Sequence, residues 1–264
     1  MADWHGQIDD VFITLGFSAQ WWETGRLTWT NGEIVEGYSN PLWMVLGIIP
    51  IALSIDPSVF LQVISMMCAV GLLGLLAHRL TGWIGLGVLL LTATAEPIAW
   101  WGAMGMETAA FALAIAIGWI HIGSPMTCTW ALLTASLLRP EGHAHYLAAT
   151  AILILRRDRN LTPALLSTGS MLLLYHCARL WWFGEWLPAT VMIKALDSPP
   201  LSGGIKQALI DTLPWLGPLG LLAVSRRISW LEGLLAAVPA TLQLLVLIKA
   251  CLLYTSPSPR DRYG

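Results

Sequence analysis

The sequence predicts an all-α protein, a polytopic transmembrane helical bundle of about eight spans with external juxtamembrane loops. Three observations carry that expectation. The chain is 56% hydrophobic and only 11% charged, against roughly 25% charge in a soluble domain. Its mean hydropathy is +0.67. Its apolar runs approach the twenty or so residues that a helix needs to cross a hydrocarbon core of about 30 Å while satisfying its own backbone hydrogen bonds.

The spans read in order at about 58–77, 82–99, 107–122, 127–138, 143–156, 162–180, 213–225 and 229–249. The run 41–55 is also apolar, but Pro41 opens it and Asp56-Pro57 closes it, so it reads as a re-entrant or surface-lying helix. Three units follow: an external first loop over 1–57, a helical membrane domain over 58–250, and a tail over 251–264. Of the four cysteines, Cys68, Cys128 and Cys177 fall inside apolar runs and read as small hydrophobes rather than disulfide partners or metal ligands. No basic stripe exists to neutralise phosphates, which excludes nucleic acid as a partner.

Orientation follows from the basic residues. If the eight spans alternate, Arg79, then Arg156, Arg157 and Arg159, then Arg226 and Arg227 share one side, which the positive-inside rule makes cytoplasmic. The pairs Trp21-Trp22, Trp100-Trp101 and Trp181-Trp182 then land on the other side, where amphipathic rings favour the headgroup layer. The expected arrangement is a multi-pass membrane protein with its site on the outer side.

That outer side also gathers the unusual polar residues. Asp9 and Asp10 come first, then Glu36, Tyr38 and Asn40 within the polar stretch Asn-Gly-Glu-Ile-Val-Glu-Gly-Tyr-Ser-Asn-Pro-Leu-Trp of residues 31–43. Glu107, Arg139, Glu141 and Lys194 follow. Charge close to hydrocarbon is costly and usually functional. Each residue also has a plainer role: Glu107 as a helix cap, Arg139 and Glu141 as a mutual pair, Lys194 as a snorkelling side chain. Adjacent carboxylates suit general-base chemistry, since each raises the other's proton affinity. They suit a divalent cation equally well, which leaves Asp9 and Asp10 open as metal ligands. Asp9-Asp10 can also simply cap a helix. Arg139 offers a phosphate a bidentate fork, and Lys194 a point charge.

The ordered motifs Asp-Asp-Val-Phe-Ile, Val-Glu-Gly-Tyr-Ser-Asn-Pro-Leu-Trp, Gly-Met-Glu-Thr and Leu-Arg-Pro-Glu-Gly resemble the polytopic GT-C class of glycosyltransferases. The nearest resemblance is to the mycobacterial terminal arabinofuranosyltransferase group and its bacterial relatives. Trp-Phe-Gly-Glu-Trp-Leu-Pro-Ala-Thr before Lys194 extends the likeness, with Ala189 where relatives commonly show Asn. The resemblance implies transfer of a sugar from a polyprenyl-phosphate donor, with inversion, to a cell-envelope glycan, glycolipid or protein acceptor among membrane lipids, on the periplasmic or exterior face of the bacterial inner membrane. It implies Asp9 or Asp10 as the base on a first external loop. Glu36, Tyr38 and Asn40 would then shape the sugar pocket, and charge alone assigns Arg139 or Lys194 to the leaving phosphate. A lipid-linked-sugar transporter or flippase, or an inactive fragment, is the alternative.

Both ends depart from such relatives, which place a membrane helix before the Asp-Asp motif; here eight residues precede Asp9. Met1 is therefore expected to be an internal codon. Residues 251–261, Cys-Leu-Leu-Tyr-Thr-Ser-Pro-Ser-Pro-Arg-Asp, can be encoded by a string that resembles a transposon end and sequencing adapter. The tail 251–264 is expected to be non-native.

Overall fold

A computed structural model describes residues 9–29, 32–158 and 160–185, with positions 235 and 238 besides. Among the described residues every regular element is an α-helix, so the chain is all-α. Lys194, the expected spans 213–225 and 229–249, and the tail 251–264 lie outside the described residues.

The first helix, α1 (Asp9–Thr24), stands where the sequence reading placed external loop. Its cause is a stripe at helical spacing: Val11, Thr14, Leu15 and Ser18 are all buried, one face of a 3.6-residue period. The two hydroxyls on that stripe return to the carbonyls four residues back, Thr14 Oγ1 to Asp10 at 3.2 Å and Ser18 Oγ to Thr14 at 3.0 Å. Gly25 ends the helix with φ +67°, its N–H donating to the Trp21 carbonyl.

The second helix, α2 (Pro41–Ala52), opens on a proline, where the missing N–H costs nothing. It packs tightly on α1. A Cβ at Gly47 would sit 2.7 Å from Ser18 Oγ, and that hydroxyl donates to the Met44 carbonyl at 2.7 Å.

The third helix, α3 (Pro57–Arg79), is capped by Asp56, whose carboxylate accepts from the backbone N–H groups of Ser58 and Val59. Its 23 residues span about 35 Å at 1.5 Å per residue. Among the described residues it is the one helix both long and apolar enough to cross a membrane.

The expected span 82–99 divides into α4 (Gly82–Ala93) and α5 (Glu96–Ala103). Pro97 lies in the first turn of α5, the position a proline tolerates; inside a continuous helix it would remove a hydrogen bond.

Four further helices follow: α6 (Thr108–Ile120), α7 (Pro125–Leu138), α8 (Gly142–Leu155) and α9 (Leu161–Phe183). Helices α6, α7 and α8 have 13, 14 and 14 residues, about 20 Å each, short of the bilayer core. Helix α9 equals α3 in length but carries His176 and Arg179.

The core centres on α6, which is buried almost all round, at Ala109, Phe111, Ala112, Ala114, Ile115, Ala116 and Trp119. Helix α3 runs beside it in the same direction. Ser65 Oγ reaches the Met106 carbonyl at 2.6 Å near one end, and Arg79 meets His121 at 3.1 Å at the other. Helices α6, α7, α8 and α9 run antiparallel in succession. Ring-to-ring and hydroxyl contacts fix the last pair, with Tyr146 Oη 2.8 Å from Thr168 Oγ1. The α7–α8 turn is so tight that a Cβ at Gly142 would clash with the backbone of Ala135 and Ser136.

Candidate functional site

The antiparallel order brings one end of α6, α7, α8 and α9 together with the start of α1, the start of α2 and the loop 25–40. Asn40 lies immediately before α2, and its buried amide is the hub. Its Nδ2 donates to Glu107 Oε2 at 3.0 Å, and its Oδ1 accepts from Thr14 Oγ1 at 3.2 Å. Glu107 precedes α6 and is 4% exposed, so its carboxylate needs compensation. Arg139, just past α7, supplies it: Nη1 donates to Glu107 Oε1 at 3.3 Å. The other side of the same guanidinium donates to Glu141, Nη2 to Oε1 at 3.3 Å and Nε to Oε2 at 3.5 Å. The Phe111 ring lies under it, 5.7 Å from centroid to Cζ.

The Glu141 carboxylate, then Glu107 and Asp10, hold the Arg139 pKa above its ordinary value against the opposing effect of burial. Asp10 is thus within electrostatic reach of Arg139, and its side chain is exposed. Asp9 belongs to α1, but its side chain lies outside the described residues.

Glu36 and Tyr38 belong to a second, neighbouring centre. Both are buried, at 4% and 5% exposure. Arg179, near the end of α9, grips Glu36 with Nε at 2.8 and 2.7 Å and Nη2 at 2.6 Å. Burial pushes the Glu36 carboxyl upward, while the Arg179 hydrogen bonds and charge pull it back. Tyr38 packs between the Phe17 and Phe183 rings, 5.0 and 6.4 Å away. Burial first, and the Glu36 charge second, raise its phenol above the usual tyrosine value. A third contact fastens the same loop to α9, from Trp182 Nε1 to the Leu27 carbonyl at 3.1 Å.

Between the two centres stand His143 and His176, with Nε2 atoms 3.0 Å apart. His143 feels the charges of both Arg179 and Glu141.

Sequence reasoning named Asn40, Glu107, Arg139, Glu141, Glu36 and Tyr38 and missed Thr14, His143, His176 and Arg179. Arg179 had a readable signal: a lone guanidinium in the apolar run 162–180 demands a buried acid. The partner's address, 143 residues upstream, had none. Among the described residues no group of three or more His, Cys, Asp or Glu side chains is arranged to hold a metal ion.

At the far end of the bundle basic residues outnumber the acid Asp158 of the α8–α9 connection. Arg79 and His121 close α3 and α6, and Arg156 lies within electrostatic reach of Cys128 near the start of α7. No family model, curated protein or solved structure matches this chain.

Proposed function

We propose that this chain is the core of a polytopic GT-C glycosyltransferase. It would move a sugar from a polyprenyl-phosphate donor to an envelope glycan, glycolipid or protein acceptor at the outer face of the bacterial inner membrane. The observation that carries the reading is the Asn40–Glu107–Arg139–Glu141 network. Four of the motif residues behind the GT-C resemblance, far apart in sequence, share hydrogen bonds at one end of the bundle, beside the exposed Asp10.

A multi-pass membrane setting is supported by the outward side chains of the long helices. Val63, Met67 and Val70 of α3 are 49%, 63% and 70% exposed, and Leu166, Leu173 and Leu174 of α9 are 70%, 65% and 69% exposed. Apolar cover of that extent is stable against lipid, not water. The basic far end fits a cytoplasmic side.

In this reading the roles divide by how each carboxylate is engaged. Glu107 is committed to Arg139 and Asn40, and Glu36 to Arg179, so neither is the base. Asp10, or Asp9 beside it, takes the acceptor hydroxyl proton as that oxygen bonds to the anomeric carbon. The bond from that carbon to the phosphate oxygen breaks, and polyprenyl phosphate leaves as the anion. The two carboxylates take three of the five N–H donors of Arg139; the remaining two meet the developing phosphate charge. A divalent cation held by Asp9 and Asp10 would be the alternative use of the pair, acting on the phosphate.

The test uses the full chain in lipid nanodiscs with radiolabelled polyprenyl-phosphate pentoses and hexoses and an envelope-glycan acceptor. Label transfer that Asp10→Asn or Asp9→Asn abolishes, with donor binding retained, supports the reading. Full transfer in both variants removes the proposed base. In sealed proteoliposomes, donor that crosses the bilayer without label transfer replaces the enzyme with a lipid-linked-sugar transporter.

A further inference from the structure

The His143–His176 pair is not used in the proposed transfer, and its geometry suggests a separate chemistry. His143 occupies the first turn of α8, and His176 lies two turns before the end of α9. Their Nε2 atoms approach to 3.0 Å with the rings tilted by 52°. The opposite nitrogen of His143, Nδ1, lies 2.9 Å from the Pro140 carbonyl oxygen. A carbonyl only accepts, so Nδ1 carries the proton and donates, which leaves the Nε2 lone pair of His143 directed at His176. A histidine fixed in this way, one N–H held by a backbone carbonyl and the other nitrogen open, is how proteins orient imidazole for metal ligation.

We propose that His143 and His176 form a two-histidine site for a borderline divalent transition-metal cation, Zn²⁺, Cu²⁺ or Ni²⁺, that joins α8 to α9. Imidazole nitrogens bind such ions at about 2.0–2.1 Å, so two of them at right-angle to tetrahedral geometry stand about 2.9–3.4 Å apart. The observed separation lies in that interval, so the ion enters by rotation of the His176 ring and replacement of the shared proton. Both side chains are half-buried, which leaves water to complete the coordination. The surrounding charge is tolerant: Glu141 acts on His143 from its own turn, and the nearby Arg179 is neutralised by Glu36. His145 is not part of the site, because its buried ring turns inward to accept from Trp119 Nε1 at 3.1 Å. The proposal is independent of the glycosyl-transfer reading and stands or falls without it.

The experiment loads the full chain in nanodiscs with Cu²⁺ alone and reads the electron paramagnetic resonance spectrum. Saturable one-to-one binding with nitrogen superhyperfine structure is expected, lost in His143→Gln and in His176→Gln and retained in His121→Gln. In parallel, Zn²⁺ is added to the unmodified chain, and diethyl pyrocarbonate labelling of each histidine is read by mass spectrometry. Protection confined to His143 and His176 is expected, and this arm needs no variant to fold. No saturable binding, an unchanged spectrum in both glutamine variants, or equal labelling of the pair with and without Zn²⁺ would overturn the site.

Discussion

Glu36 and Arg179 meet face to face across 143 residues of chain, the guanidinium Nε and Nη2 reaching the two carboxylate oxygens at 2.6–2.8 Å with both side chains almost fully buried. The pair ties the loop that ends at Asn40 to the last turns of α9. Removing one partner strands the other charge, at a cost of about 3–5 kcal/mol. Arg179→Met and Glu36→Gln should therefore each lower the thermal midpoint sharply, read by tryptophan fluorescence in detergent micelles. The double variant Glu36→Leu with Arg179→Met should recover most of the loss. A double variant as unstable as the sum of the singles would mean the two side chains do not act as a pair.

Asn40 uses both ends of its amide, one on Glu107 and one on Thr14. Asn40→Ala leaves a buried carboxylate short of a donor and should cost about 1–3 kcal/mol. Asn40→Asp places like charge against Glu107 and should cost more than the alanine. The order of the two midpoints in chemical denaturation decides the matter; a milder aspartate variant contradicts the assigned geometry.

Gly142 is pressed against backbone, with the Ala135 carbonyl and Ser136 N where a Cβ would lie. Backbone cannot rotate aside as a side chain can, so Gly142→Ala should destabilise by at least the 1–3 kcal/mol or so typical of overpacking. Gly118→Ala meets side chain rather than backbone, Leu132 Cδ2 and Cγ at 2.6 Å, and should be the milder of the two. Parallel melts of the two variants test that ranking.

Burial raises the pKa of the Tyr38 phenol above the ordinary tyrosine value of about 10. A group whose folded-state value is raised contributes stability fully present below the unfolded value and lost as pH rises through the folded one. Stability should thus hold up to about pH 10 and fall above it. Tyr38→Phe should flatten that alkaline fall relative to the unmodified chain; equal slopes in the two proteins would show that Tyr38 titrates as if exposed.

Much of the helical layout could be read from the chain, because apolar runs and their terminators are local. The apolar runs placed α3, α7 and α8 within two residues of their observed bounds, and Pro57, Pro125 and the Arg-Pro-Glu-Gly turn stand at their starts. Two elements were legible and overlooked. The 11-14-15-18 stripe of α1 was masked by Asp9-Asp10 at its head and the polar stretch 31–43 after it, and Pro97 marks the α4–α5 break. The length of α6 was less evident: apolar residues flanking it lengthened the run 107–122 without extending its 13-residue helix. Site residues were legible by type, as charges beside apolar runs. Their pairing was not: spacings of 32, 67 and 143 residues depend on how helices stack, which no local pattern encodes.

The separations also set a timetable for synthesis. Glu107 leaves the ribosome 32 residues ahead of Arg139, and Glu36 leaves 143 residues ahead of Arg179. At about 5–20 residues per second the second interval lasts about 7–30 s. Throughout it the loop carboxylate must wait in water or in protonated form, because its Arg179 partner does not yet exist. The loop at the start of the chain is thus closed by one of the last described turns to be made, and a ribosome stalled in α8 would release a bundle whose front door has no latch.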